Sequence, residues 1–455
     1  MRQAPGTSTA STQPAATGQA GTGATLARSG LAADAGRLRS ARVAVLAHFF
    51  ILGLAEGIWI ARIPALRERL RLSDGLLGLS MLVGPAGLVL VMPLAGRLAD
   101  RFGSARLIRP AGLAVAVLPL ALCTAETLPE VIGALLAFGI AGGALSVAVS
   151  AEGVRVERGY GRPLMASFFA SYSAGGLAGA VLGGLLAWQR AAPVTVLGAT
   201  VLACVTVAVI AGRRLLPEPP RPGWPQRPGW PQRPGWTAWA SRRGPGSAPP
   251  RLLALGLLAL CCVITEGAVG TWSGVYLRDV VRTPGWFAVA GFAGFSLAMA
   301  AGRLVGDRLA ARYGPAGLVR RCGLLAVLGL AGALCTRQAG VAVAGFAACG
   351  GGLSCTVPQL FSAAGNTDPD RPGRAVGWVG ALGYLGLVGG PALIGGCATL
   401  AGLTTALYIP VGLGLCVAGF AFLLDRPGTG AAPPVRVAPV LSGTGPGRPA
   451  GSRSR

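Results

Sequence analysis

Two acidic residues occupy matching places in strongly apolar surroundings. Glu56 and Glu266 are each followed by Gly. The stretch LAEGIWIARIPALRER (54–69) is echoed 210 residues later by ITEGAVGTWSGVYLRD (264–279). An ionisable group at membrane depth is expensive and is usually retained for a reason. Two carboxyls near one another can share a proton and release it when their surroundings change. The plainer alternative is that each acid is solvated in a wet cavity or paired with an Arg. His48 is the only His. It lies eight residues before Glu56, hence ~12 Å along a helix and roughly 80° round it. It can relay a proton, although a buried His bonded to a backbone group is the simpler reading.

Other side chains are candidates for a solute cavity: Trp59, Arg62, Tyr172, Trp272 and Tyr384. The planar guanidinium of Arg62 suits an anionic or hydroxylated solute, or it snorkels to the membrane interface. Trp is common at such interfaces and says little alone. Glu152, followed by Arg155, Glu157 and Arg158, falls at the end of an apolar segment. A gating ion pair with the Arg97–Arg101 loop is the preferred reading, against a solvated charge at a helix end.

These residues must be positioned by helices that cross a membrane. Apolar stretches of about 20 residues, the length that spans a bilayer, run roughly 41–63, 75–95, 108–126, 129–151, 164–188 and 191–212. After a break they resume at 252–276, 286–303, 318–336, 340–363, 376–398 and 402–424. The halves repeat one another elsewhere too. RLADRFG (97–103) returns as RLAARYG (308–314), and AGAVLGG (178–184) as GPALIGG (390–396). The expected fold is therefore an all-α polytopic membrane protein, with twelve transmembrane helices in two pseudo-symmetric six-helix bundles. Two equivalent hydrophobic halves are the usual plan of a transporter, with its site at their interface.

The expected divisions are a disordered cytoplasmic tail (1–40), one bundle (41–212), a Pro/Arg/Trp-rich cytoplasmic linker (213–251), a second bundle (252–424) and a second disordered tail (425–455). The first tail lacks the apolar core of a secretory leader. The linker repeats RPGWPQ, which forbids helix and favours extended chain. It reads as a solvated spacer or as an Arg/Trp contact to anionic lipid. Two rows of Gly stand out. Gly175, Gly179 and Gly183 are four apart, and Gly377, Gly380, Gly383, Gly386 and Gly389 three apart. Such rows permit close helix packing, either between moving bundles or as static contacts.

The formal charge is +24, and all 40 basic residues are Arg. In a soluble protein that charge would suggest nucleic acid. Here the Arg gather at the ends of apolar segments, and only eight of the 40 fall on one side if the N-terminus is cytoplasmic. That bias sets both termini in the cytoplasm of a cell membrane and excludes a nucleic-acid partner. The absence of Lys beside 73 Gly suggests a GC-rich bacterial genome. The ten Cys show neither CxxC nor Cys/His spacing, so no metal site is expected. No GxxxxGK[ST] appears, so no nucleotide or other cofactor is implied. One His and few midplane acids also argue against a membrane enzyme.

At GRLADRFG (96–103) the sequence resembles the major facilitator superfamily, whose hallmark loop joins the second and third helices. Ser104 and Ala105 stand where a basic pair is usual, and Ala311 replaces the acid in the second copy. WIARIPALRERL (59–70), AEGVRVER (151–158), TEGAVGTW (265–272) and GRLVGDRLAARYG (302–314) are similar to the fucose-permease-like branch and its bacterial inner-membrane members. The resemblance covers about residues 41–424 and implies secondary transport without naming a solute. In that fold the first and seventh helices face each other across a central cavity. The helix-4 acid and Asn of fucose permeases correspond to Ser146 and Ser150. A run over Gly175–Gly184, with Ala180 where Pro is usual, resembles the helix-5 motif of exporters.

The resemblance assigns Asp100, Arg101 and Arg97 to a clasp at the inner ends of the bundles. Together these readings predict an ion-coupled permease in which Glu266 and Glu56 carry H+, moving a small organic solute through the bilayer. Drug or metabolite efflux stays open, as does a transporter-like sensor or scaffold without turnover. With both tails and the linker inside, a Cys introduced at Ser241 in a Cys-free background should resist an impermeant thiol reagent in intact cells. It should label once the membrane is opened, and labelling of intact cells would reverse the topology.

Overall fold

The computed structural model describes residues 19–188, 193–217 and 250–425. The first half contains α1 (Gln19–Leu70), α2 (Asp74–Phe102), α3 (Ser104–Thr124), α4 (Leu128–Tyr160), α5 (Met165–Trp188) and α6 (Pro193–Gly212). The second contains α7 (Pro250–Val275), α8 (Gly285–Tyr313), α9 (Pro315–Thr336), α10 (Ala339–Leu353), α11 (Thr356–Thr367), α12 (Pro372–Ala401), α13 (Leu403–Ala406) and α14 (Tyr408–Gly419). Among the described residues, ten helical stretches are long and apolar enough to cross a membrane. Two shorter apolar stretches, Val196–Gly212 and Leu403–Gly419, take the sixth and twelfth places. The expected tenth segment is α10 and α11 together, interrupted at Ser354–Cys355.

One boundary differs from expectation. Residues 19–40 continue α1 rather than forming a disordered tail. They contain no Pro to stop the helix, and their Ala, Leu and Arg favour it, while Gly21, Gly23, Gly30 and Gly36 weaken it. Most of the 213–251 linker and nearly all of the 425–455 tail lie outside the described residues.

Gly103 and Gly314 end α2 and α8 at equivalent points of the repeat. Their φ values are 100° and 71°. Each N–H closes the last turn on a carbonyl, Ala99 at 2.8 Å and Ala310 at 3.0 Å. Glycine adopts this left-handed region without a Cβ penalty, so both copies of the loop keep it.

The packing repeats with the sequence. Helix α1 packs on α5 as α7 does on α12, and α2 on α4 as α8 does on α10. Helix α3 joins α4 and α6 as α9 joins α10 and α14. The α5 glycine row faces α1 within its own bundle. A Cβ at Gly175 or Gly179 would run into the carbonyl of Phe50 or Leu54. The α12 row divides. Gly377 lies against Met92 and Gly96 of α2, in the other bundle, whereas Gly383 and Gly386 lie against α7 in its own. Close backbone approach therefore welds each bundle internally and joins the two bundles at one end only.

Gly175→Ala and Gly179→Ala should each destabilise the purified protein by about 1–3 kcal/mol, the usual penalty for overpacking. Gly184→Ala, where an added methyl meets nothing within 4 Å, should be near neutral. Thermal unfolding in detergent, followed by size exclusion, would compare the three; equal stability in all would remove the close contact from the account.

Candidate functional site

The bundles meet chiefly through α2 against α12 and α5 against α8, while α1 and α7 are not packed along each other. At the end of the molecule carrying Gly103 and Gly314, each bundle reaches into the other. The first-turn amides of a helix have no partner within it. In α12 those of Gly373 and Arg374 donate to the Asp100 carboxylate of α2, at 2.8 and 2.7 Å. In α5 those of Ala166 and Ser167 donate to the Asp307 carboxylate of α8, at 2.9 and 3.1 Å. Both are carboxylates at helix N-termini, favoured by charge-assisted bonding and the helix dipole.

A third tie links α4 to α11. Arg158 donates to Asn366 Oδ1 at 2.8 Å, to the Pro369 carbonyl at 3.1 Å and to the Gly365 carbonyl. Beside it, Glu157 accepts the Leu164 and Met165 amides at 2.8 and 3.0 Å and the Ser362 hydroxyl. This end of the interface is closed.

Deeper in the membrane, Phe169 of α5 and Phe361 of α11 meet edge-to-face across the interface, with ring centroids 5.8 Å apart. Beyond this pair lies a polar group drawn from both bundles. The Tyr172 hydroxyl donates to Glu56, fixing α5 to α1. Tyr384 of α12 reaches Ser146 of α4. Glu56 lies in the field of Glu266, and Glu266 in that of Arg303. Arg303 is buried and donates through Nη1 to Ser173 Oγ at 2.6 Å.

The family model of the Major Facilitator Superfamily matches residues 44–372. The chain belongs to that superfamily. It is 33% identical over 320 residues to an uncharacterised transporter, y4wD, of Sinorhizobium fredii, covering 70% of this chain and 81% of that protein. It is also 33% identical over 330 residues to an uncharacterised MFS-type transporter of Yersinia pestis, covering 72% and 81%. The crystal structure of the transporter FucP in the outward conformation shares the fold, with TM-score 0.67 at 17% identity, covering 85% of this chain and 98% of that one. The protein is thus a multi-pass major facilitator transporter, not an enzyme.

Within this facilitator the expected site residues divide. Glu56, Glu266, Tyr172 and Tyr384 come together between the bundles. Trp59 does not join them: it packs with Leu66, Leu122, Val131 and Leu135 inside the first bundle. Arg62 lies against Cys123 at the end of α3. His48 is fully buried, with Nδ1 2.8 Å from the Ala44 carbonyl of its own helix and its ring beside Gly112 of α3. Trp272 leans on Gly395 of α12, within the second bundle. These four sit on faces of α1 and α7 turned towards neighbours in their own bundle.

The gating set divides as well. Asp100 holds the first turn of α12, while Arg97 is exposed and Arg101 stacks over the Phe102 ring at 5.2 Å. Glu152 pairs with Arg155, three residues on along the same face, at 2.7 Å, and accepts the Leu216 amide at 2.9 Å. It ties the chain after α6 to α4. Arg303 and Asp307, both in GRLVGDRLAARYG, also reach across the interface, which their sequence context does not announce. Arg303 sits ten residues before the end of α8, about 15 Å along the helix. Its depth is the signal that could have marked it, as depth marked the two Glu.

Asp100→Asn should loosen the closed end, because a carboxamide offers one acceptor oxygen where the carboxylate offers two. With spin labels replacing Arg97 and Arg371 in a Cys-free background, double electron–electron resonance should show a population at longer distance in the variant. An unchanged distribution would remove the clasp from the closure.

Proposed function

We propose that this transporter moves a small organic solute in company with a proton, by alternating access between the two bundles. The observation that carries the reading is the pair Glu56 and Glu266. They occupy equivalent places in the repeat, on helices that are not packed together, and one lies in the field of the other. With the Arg-rich side inside, the clasped end is cytoplasmic, and the acidic pair beyond Phe169 and Phe361 is reached from the outer side. A proton neutralises the acidic pair as solute enters. The bundles then close over both, and the Asp100 and Asp307 clasps release the helix ends they hold. The cytoplasmic side opens, and proton and solute leave together. Both termini lie in the cytoplasm in this scheme.

Glu266→Gln mimics the protonated acid at similar volume. In proteoliposomes enclosing a pH-sensitive dye, addition of sugars, sugar acids and amino acids in turn should reveal a solute that draws protons inward through the parent protein. The variant should lose that proton entry and pH-driven accumulation yet retain solute counterflow, which needs binding and reorientation without net proton release. Glu56→Gln should give a milder form of the same split. A Glu266→Gln protein that still concentrates solute like the parent would assign coupling elsewhere.

A further inference from the structure

Arg303 carries more than a structural contact explains. It lies on α8 deep in the membrane-spanning region, with 9% of its surface exposed. Its Nη1 is held by Ser173 across the interface, and its guanidinium sits 5.9 Å from the Phe169 ring centroid. Its Nε is buried with no hydrogen-bond partner. No carboxylate is bonded to it among the described residues. A guanidinium at such depth is costly unless something compensates it. Here the geometry compensates one side only: the Nη1 side is occupied by a hydroxyl, and the Nε side is left unmatched.

The Nε–Nη2 side of a guanidinium presents two parallel N–H groups, which fit the two oxygens of a carboxylate. Building on the proton-coupled reading above, we propose that Arg303 binds a carboxylate of the transported solute, and that Glu266 governs when Arg303 is available to it. The groups whose fields meet Arg303 are Glu266 and Cys262 on α7, Tyr172 on α5, Tyr384 on α12 and Cys355 before α11. Glu266 is the carboxyl among them and makes no hydrogen bond to the described residues, whereas the Asp307 carboxylate on α8 is held by the Ala166 and Ser167 amides. While Glu266 is charged it offsets Arg303 and repels an incoming anion. When Glu266 takes a proton, the counter-charge from α7 is lost while Asp307, one turn on along α8, stays committed to the first-turn amides of α5, and an anion can bind. One proton and one carboxylate then enter together without net charge, so the pH difference and not the membrane potential drives this cycle.

The test uses the full-length purified protein and matched probes at constant ionic strength: gluconate with sorbitol, galacturonate with galactose, lactate with propane-1,2-diol. Thermal stabilisation and counterflow are measured for each. At least one acid should stabilise the parent more than its neutral partner, and more strongly as pH falls. Arg303→Gln should weaken that binding ~30-fold or more, the scale of losing one partner of a buried hydrogen-bonded charge pair. Arg303→Lys guards against a misfolded Gln variant: it should still prefer the acid but bind it more weakly than the parent. Glu266→Gln should bind the acid with less dependence on pH. The assignment fails if no acid outperforms its neutral partner, or if the preference survives in folded Arg303→Gln. Counterflow and proton entry with a neutral probe would then leave the transport reading standing and overturn only the role of Arg303. Absence of movement for every probe would count against both.

Discussion

Amides at the start of a helix have no partner inside it. This chain meets that need from the opposite bundle. Asp100 takes two amides at the start of α12, and Asp307 takes two at the start of α5. The two clasps join the equivalent helix pairs α2–α12 and α8–α5, so they close one end from both sides. What lies above them follows: Phe169 meets Phe361, Arg303 is drawn against Ser173, and the helices bearing Glu56 and Glu266 stay apart. The clasps are made of hydrogen bonds and are released by separation. The glycine contacts of α5 with α1 and of α12 with α7 are backbone against backbone. One kind of contact suits a joint and the other a rigid body.

The two copies of the clasp are not identical in register. The repeat sets Ala311 opposite Asp100, and the acid of the second half is one turn earlier, at Asp307. The structure shows why the shift is tolerated. A first-turn amide pair accepts a carboxylate arriving from any residue that points at it, and one turn of α8 returns the side chain to the same face. A search for a conserved motif position alone reads Ala311 as the loss of the clasp; the geometry shows it moved.

Several features were readable before any coordinates. Each apolar segment is a local property of about 20 residues, and the equivalent glycines at 103 and 314 mark their own turns. Glu56 and Glu266 were found because charge inside a span is conspicuous and because the repeat placed it twice. The faces that meet between the bundles are less legible. Trp59, Arg62, Trp272 and His48 turn towards neighbours in their own bundles, while Ser146 and Ser173, which carry no charge, face the interface. A transmembrane helix is apolar on every side, so the periodicity that reveals the buried face of a soluble helix fades. The α5 glycine row likewise left open whether it served a moving or a fixed contact, because that depends on which helix lies opposite.

The sequence by itself determined the membrane-spanning helices, the duplicated plan, the superfamily loop and the acid pair, because each is encoded in contiguous residues or in their repetition. Tertiary structure alone decided which faces meet. It set Asp307 on the first turn of α5, 140 residues distant in the chain, and Arg303 on Ser173, 130 distant. It also directed Arg158 to the end of α11 and sent Trp59 and Arg62 away from the interface. Those outcomes depend on the rotation of each helix about its axis, which is fixed by how its neighbours pack and not by its own composition.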